Sequence, residues 1–466
     1  MTSISRNDVT TLLAVRWLAA VLLAVQGCSS AGVDAGAARA PAVVVPELRP
    51  VHLRADLPYR AQDHAFLRQA IGERSIVQLG ESLHITDEFP RVRLRFVRYL
   101  HAEMGFDVLA IEGSAIDAWL ANERAYDEDV ADVAGFQRTA LFAVWQSAAM
   151  RDLVAHVLST RRSPRPLYLT SFDVQPGTSA RFIGLPRGEV LLALVQALAR
   201  YAPPPDAREA RRWADDISPF FRRYGATSPL SAELERRALE AIAEMESWMA
   251  ALAPAVRARR PAVHVAALRL IPDVLRAAVD LAQASGRAGS ESQRVYRETR
   301  DRLSARNVLR LHDAVSPGRR VLVWAHHSHV IHDSTGRNVD SMGRSLLAAV
   351  PDRLYTIGLF AGGGAAATLR ADGRSVSVTA LAPPPHPSVE RLLASLAPAD
   401  YFVDLSRLDG KSAAHAAWFA PLPSRQEPDD TLDTAVARDF HGAVFIRQVH
   451  PPRMLLPSPA EASAPR

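Results

Sequence analysis

Glu81 and His84 stand three residues apart in Gly80-Glu81-Ser82-Leu83-His84, directly after the apolar run from Ser75 to Leu79. That spacing puts both side chains on one side of a turn entering a helix. A carboxylate that orients one imidazole nitrogen leaves the other to take a proton from water, which is general-base chemistry. The positive end of the following helix is expected to favour the Glu81 carboxylate and to hold His84 neutral. Three more apolar runs end in groups of the same kind. Asp107 to Ile111 leads into Glu112, Leu167 to Phe172 into Asp173, and Val321 to Trp324 into His326, His327 and His329. Carboxylates and imidazoles in these numbers also suit zinc, manganese or iron, with Glu81, His84, Glu112 and His326 as the alternative donor set.

In an open parallel sheet, ligands sit beyond the carboxyl ends of the strands, so four runs ending in such groups point at one crevice. The segment after the first run reads as a helix over 89–103. Val92, Phe96, Val97 and Leu100 lie at helical spacing, Thr86 and Asp87 stand as caps, Pro90 falls in the first turn, and Gly105 stops it. A second strand follows at once, with Glu112 at its end, and the unit is a parallel crossover. This alternation fills 51–186 and returns over 313–450, with strands at 320–324, 354–359, 401–405 and 442–446. Residues 187–312 instead carry long Ala/Leu/Arg-rich helical runs at 191–198, 232–252 and 262–284, broken by Pro203–Pro205 and Pro254. The expected fold is α/β: a parallel-sheet core with helices on both faces, interrupted by an all-helical insertion. Phe220, Phe221, Tyr224 and Trp248 of that insertion are candidates to line an apolar pocket, with core packing the default role for any one of them.

The ends of the chain read differently. Arg6 and Arg16 precede the short apolar run Trp17 to Val25, and Cys28, the only cysteine, follows it. A basic start, a short apolar core and a small residue before the cut form an export signal, too short to span a bilayer as a helix. Val25-Gln26-Gly27-Cys28 resembles a lipobox, which makes 1–27 a signal peptide and Cys28 a lipidation site. Ser29 behind it suggests the outer membrane, with the protein facing the periplasm. Residues 28–50 read as a flexible tether and 451–466 as a disordered tail. A net charge of +5 accompanies a single lysine, Lys411, and arginines interspersed with acids. Without a run of like charge, nucleic acid is not an expected partner.

The motifs in order resemble the erythromycin esterase family. Gly80-Glu81-Ser-Leu-His84, Arg93, Glu112, Phe172-Asp173-Val-Gln175, Trp324-Ala-His326-His-Ser-His329 and Met342-Gly343 carry the likeness, with Arg300-Asp301 and Asn307 between them. The resemblance covers roughly 55 to 450. It implies hydrolysis of a small-molecule ester, a macrolide lactone, by water, and so a role in antibiotic resistance. By carry-over His84 is the base, Glu81 and Glu112 orient the water, and Arg93 and His326 polarise the ester or its oxyanion. His329, Asp173 and Trp324 bind substrate or support those groups, and no cofactor is needed. His327 stands where the family has Asn, and Ile85 is bulkier than the residue common there. The sequence also offers no Gly-x-Ser-x-Gly elbow for a covalent route. A metal-dependent hydrolase and a non-enzymatic ligand- or haem-binding lipoprotein stand as alternatives.

Overall fold

The computed structural model describes residues 45–127, 132–175, 189–202, 206–221, 230–285, 290–315, 319–333, 340–370 and 372–456. The signal peptide, Cys28, most of the tether, Tyr224 and the tail from 457 onward lie outside them. Twelve strands are described: β1 Val51–His52, β2 Ile76–Glu81, β3 Phe106–Ser114, β4 Tyr168–Asp173, β5 Arg320–His326, β6 Leu354–Ala361, β7 Ala365–Leu369, β8 Val376–Ala380, β9 Tyr401–Asp404, β10 Leu422–Glu427, β11 Asp430–Thr434 and β12 Gly442–Ile446. Eight form one sheet in the order β1-β9-β12-β6-β2-β5-β3-β4, while β7–β8 and β10–β11 are hairpins of their own. The sheet is mostly parallel, and β9 runs antiparallel to both its neighbours.

Period-two alternation makes each central strand serve two cores. Ile76, Val108, Ala110, Val321 and Val323 point to one face, where Leu268, Ile271, Leu275, Val308 and Leu311 pack. Val77, Leu79, Leu109, Ile111, Leu322 and Trp324 point to the other, against Phe96, Val97, Leu100 and Leu153. The helices of that second face include α1 Phe66–Ile71, α2 Glu88–Met104, α4 Val133–Ala140 and α5 Ala148–Thr160. The first face carries α3 Ala115–Asp127, α6 Glu189–Leu198, α7 Ala207–Ile217, α8 Ala232–Arg257, α9 Ala262–Ser285, α10 Ser290–Val315, α11 His327–Val330 and α12 Met342–Ala349. The expected insertion, α6 to α10, therefore shares one core with the sheet. Phe220 and Phe221 belong to that core, and Trp248 packs against it beside Trp213.

Several expectations need correction. β5 lies between β2 and β3, so Glu112 does not end the strand next to Glu81. Glu112 also stands two residues before the end of β3, where the register with β4 slips between Ile111 and Ser114. Such a bulge re-aims a side chain. Asp87 begins α2 but makes no cap hydrogen bond, pairing instead with Arg91 at 2.6 Å. Thr86 Oγ1 has no partner among the described residues. Pro254 does not break α8, which runs on to Arg257; in the last turn the lost N–H bond and the crowded carbonyl of Ala250 disturb only the helix end. The folded body begins before residue 51, with Val45 and Leu48 buried, and extends past 450, where Leu455 donates to the Gln146 carbonyl.

Candidate active site

Gly80 and Gly343 let the strand ends close up. A Cβ on Gly80 would lie 2.5 Å from Val330 Cγ2, and one on Gly343 would lie 2.0 Å from the Val330 carbonyl. α11 can therefore press onto both β2 and α12, which gives the Met-Gly pair its reason.

Glu81 ends β2 wholly buried, in register with His326 at the end of β5. Its Oε1 accepts from His84 Nδ1 at 3.0 Å and its Oε2 from Arg93 Nη1 at 2.6 Å. Burial raises the Glu81 pKa, against the lowering effect of Arg93 and then of His84. Arg93 is wholly buried from α2, with its plane 4.4 Å over the Trp324 ring. It gives Nη2 to the carbonyls of Leu79 and Ala325 at 2.8 and 3.2 Å. Burial lowers its pKa to about 10, which leaves it charged at neutral pH. Arg93 thus holds Glu81 from below and presents no atom to solvent. The expected contact with the ester is replaced by a positioning role. Trp324 is likewise fully buried, so it does not line a ligand site.

His84 sits in the loop before α2, its ring edge-on to Trp145 at 5.2 Å and 4.7 Å from the His326 ring. Among the described residues nothing hydrogen-bonds its Nε2. Burial lowers its pKa, but the bond to Glu81 and the charges of Glu112 and Glu427 outweigh that, so the net direction is up. These carboxylates thus act against the helix end, which by itself favours the neutral ring.

Glu112 is a different kind of acid. Its Oε1 accepts from Arg300 Nη2 at 2.8 Å and its Oε2 from the His326 main-chain N–H at 3.0 Å. His329 Nε2 lies 3.3 Å from Oε1, while its Nδ1 meets Asp301 at 2.5 Å. Burial would raise the Glu112 pKa, but His329 and Arg300 hold it well below the usual range. The His329 pKa rises to about 9, since Asp301 and Glu112 outweigh burial. Asp173 closes the network, with Oδ1 and Oδ2 accepting from Arg300 at 3.0 and 2.5 Å. Asp173 is therefore a brace for Arg300, and His329 a charged clamp on Glu112.

The tautomer of His326 is fixed by its partners. Its Nδ1 accepts from the Ser328 N–H at 3.2 Å, and its Nε2 faces the Gln426 carbonyl at 2.7 Å, which only accepts. Nε2 therefore carries the proton. Burial, with His84 alongside, pushes the pKa well below the usual range and keeps the ring neutral. Ser328 Oγ lies 2.9 Å from the same Nδ1, as a contact within one capping turn. His327 points elsewhere. Its ring is fully buried between Phe360 and Phe440, and neither nitrogen has a partner among the described residues.

Sequence reasoning missed Glu427, the last residue of β10. One ligating atom from each of His84, His326 and Glu427 lies within 4.8 Å of the others. As a metal site the group does not fit, because His326 Nε2 holds a proton and offers no lone pair. The oxygens of Glu81 and Glu112 are also taken, by His84 and Arg93 in one case and by Arg300, His329 and a main-chain N–H in the other.

Residues 101–449, about three quarters of the chain, match the erythromycin esterase family model. That stretch carries Glu112, Asp173 and His326, while Glu81, His84 and Arg93 precede it. A Bacillus subtilis (strain 168) protein named "Putative hydrolase YbfO" is 24% identical over 407 residues, which covers 84% of this chain and 87% of that one. A Bacillus cereus protein of solved structure has a TM-score of 0.67 at 16% identity, over 87% of this chain and 96% of its own. A mutant of the erythromycin esterase EreC in its open conformation has a TM-score of 0.58 at 14% identity, over 88% and 100%. These two likenesses show a common fold. With the family model matched over most of its length, the chain belongs to the erythromycin esterase family.

Proposed function

We propose that the chain is a hydrolase that cleaves a carboxylic ester with water activated by His84. The observation that carries this reading is the Glu81–His84 pair, whose Nδ1 is tied down while Nε2 is left open beside the strand ends. In the neutral ring Nδ1–H donates to Glu81, so Nε2 holds the lone pair that takes a proton from water. Glu81, Glu112 and Glu427 then balance the imidazolium. His326 Nε2–H already donates to a main-chain carbonyl, and an ester carbonyl is the same kind of acceptor. The reaction needs no metal and passes through no acyl-enzyme.

A macrolide lactone is the proposed substrate, with antibiotic resistance as the consequence. Mass analysis of a macrolide panel should show a gain of one water with the wild-type protein and none with His84→Ala. No gain with any macrolide removes this substrate. A covalent adduct on the enzyme, or activity abolished by a chelator, removes the mechanism.

We also propose that the protein is exported and anchored to the outer membrane through an acylated Cys28. No helix among the described residues is long and apolar enough to span a bilayer. Labelled fatty acid should enter the wild-type protein and not Cys28→Ser. Equal labelling of the two defeats the anchor.

A further inference from the structure

We propose that Glu427, carried to the strand ends on the β10–β11 hairpin, is the general acid that protonates the departing alcohol oxygen. This rests on the ester-hydrolase reading above and adds a second catalytic residue to it. Every other acid at the site is engaged. Glu81 is held by His84 and Arg93, Glu112 by Arg300 and His326 N–H, Asp173 by Arg300, and Asp301 by His329. The Glu427 carboxyl accepts no hydrogen bond among the described residues, and His326 Nε2 stands 3.9 Å from its Oε1. A carboxyl without protein donors lacks the hydrogen bonds that would favour its anion.

The hairpin holds this group in place. Gln426 accepts from His326 through its carbonyl, and Ser424 Oγ and Arg425 N–H donate to Glu390 at 3.1 and 2.8 Å. At 38% exposure the Glu427 side chain remains open to a ligand. The titratable groups that face it are His84 from the loop before α2, Glu81 from β2, Glu112 from β3, the neutral His326 from β5 and Asp430 from β11. Burial, and then these acids, raise its pKa against the lowering effect of His84. The wider count agrees. Five carboxylates, Glu81, Glu112, Asp173, Asp301 and Glu427, face three permanent or near-permanent cations, Arg93, Arg300 and His329. The site therefore favours holding protons.

The steps balance. Water adds to the carbonyl carbon as His84 Nε2 takes one of its protons. The bond from carbon to the alcohol oxygen breaks, and that oxygen takes the Glu427 proton. His84 is then an imidazolium and Glu427 a carboxylate, with ligating atoms no more than 4.8 Å apart. One proton returning from His84 to Glu427 restores both.

The test compares two esters of one carboxylic acid, an alkyl ester and a 4-nitrophenyl ester whose phenolate leaves without protonation. Glu427→Gln should lower kcat/KM for the alkyl ester by about 100-fold and leave the aryl ester nearly unchanged. It should also remove the basic limb of the pH profile for the alkyl ester. A purely structural role would lower both esters alike, and that result, or no loss on either, overturns the proposal. His84→Ala should lose both esters together. If it retains them, the base assignment fails instead, and if the wild type cleaves neither ester, the hydrolase reading falls and takes this assignment with it.

Discussion

His84 donates to Glu81 at 3.0 Å, and His264 on α9 donates to Glu123 on α3 at 2.9 Å, each pair braced by a buried or half-buried arginine. The contacts match and the environments do not. His264 Nδ1 accepts from the Tyr168 hydroxyl at 2.8 Å, and its ring stacks on Trp119 at 4.7 Å. Glu123 also takes hydrogen bonds from Arg260, Arg200 and Tyr201. Burial opposes ionisation of Glu123, but His264, Arg260 and Tyr201 outweigh it and lower its pKa to about 2. Burial lowers the His264 pKa as well. In the Glu81–His84 pair both directions are upward. One pair is closed at every atom and fixes its charges. The other keeps one nitrogen open and holds its proton loosely between groups. A Glu–His contact alone therefore marks nothing; the free second nitrogen at the strand ends does.

The largest expected effect separates the two histidines. His84→Ala should cut kcat/KM by about 10³-fold while leaving the unfolding midpoint nearly unchanged. His264→Ala should do the reverse, keeping kcat/KM of the folded protein and lowering the midpoint. Loss of catalysis in the second, or its survival in the first, breaks the comparison. Next comes Glu123→Gln, which removes the carboxylate shared by His264, Arg200 and Arg260, leaves Arg260 with Asp127 alone, and should cost on the order of 3 kcal/mol at neutral pH. Because folding lowers the Glu123 pKa from 4.5 to about 2, its stabilisation is full above pH 4.5 and fades as pH falls toward 2. Urea titrations of both proteins should converge over that window. A gap that stays constant with pH would mean that the carboxylate charge does not hold this cluster.

Much of the site was legible because it is local. Glu81 to His84 is one loop, and each of the runs that end in Glu112, Asp173 and His326 is an alternating apolar strand whose burial the composition dictates. What failed was long-range. No pattern in the sequence says that β5, entered after the helices α6 to α10, slides between β2 and β3, yet that placement is what gives Glu112 the His326 N–H. The family resemblance assigns Arg93 to the ester, and the sequence does not say from which side of the sheet an arginine approaches its carboxylate. Only burial shows that it braces Glu81. Glu427 left no signal in Arg425-Gln426-Glu427-Pro428-Asp429-Asp430, a polar turn indistinguishable from other surface loops. Its place depends on a hairpin folding back onto His326, a hundred positions earlier.

The smallest effect tests whether an open nitrogen is enough by itself. Tyr168→Phe removes the hydroxyl from His264 Nδ1 and leaves that buried acceptor unpaired, which should cost about 1–2 kcal/mol of stability. The resulting pair is then a Glu–His dyad with a free nitrogen, like Glu81–His84, but at the amino end of β4 and under α9 rather than at the carboxyl edge. If position beside the strand ends decides function, kcat/KM of Tyr168→Phe equals that of the wild type, and the double variant with His84→Ala is as inactive as His84→Ala alone. Any hydrolysis regained in the double variant would show that an unpartnered imidazole backed by a carboxylate suffices anywhere in the fold. The absence of regain would tie the chemistry to the company His84 keeps: Glu112, His326 and Glu427 around one unoccupied lone pair.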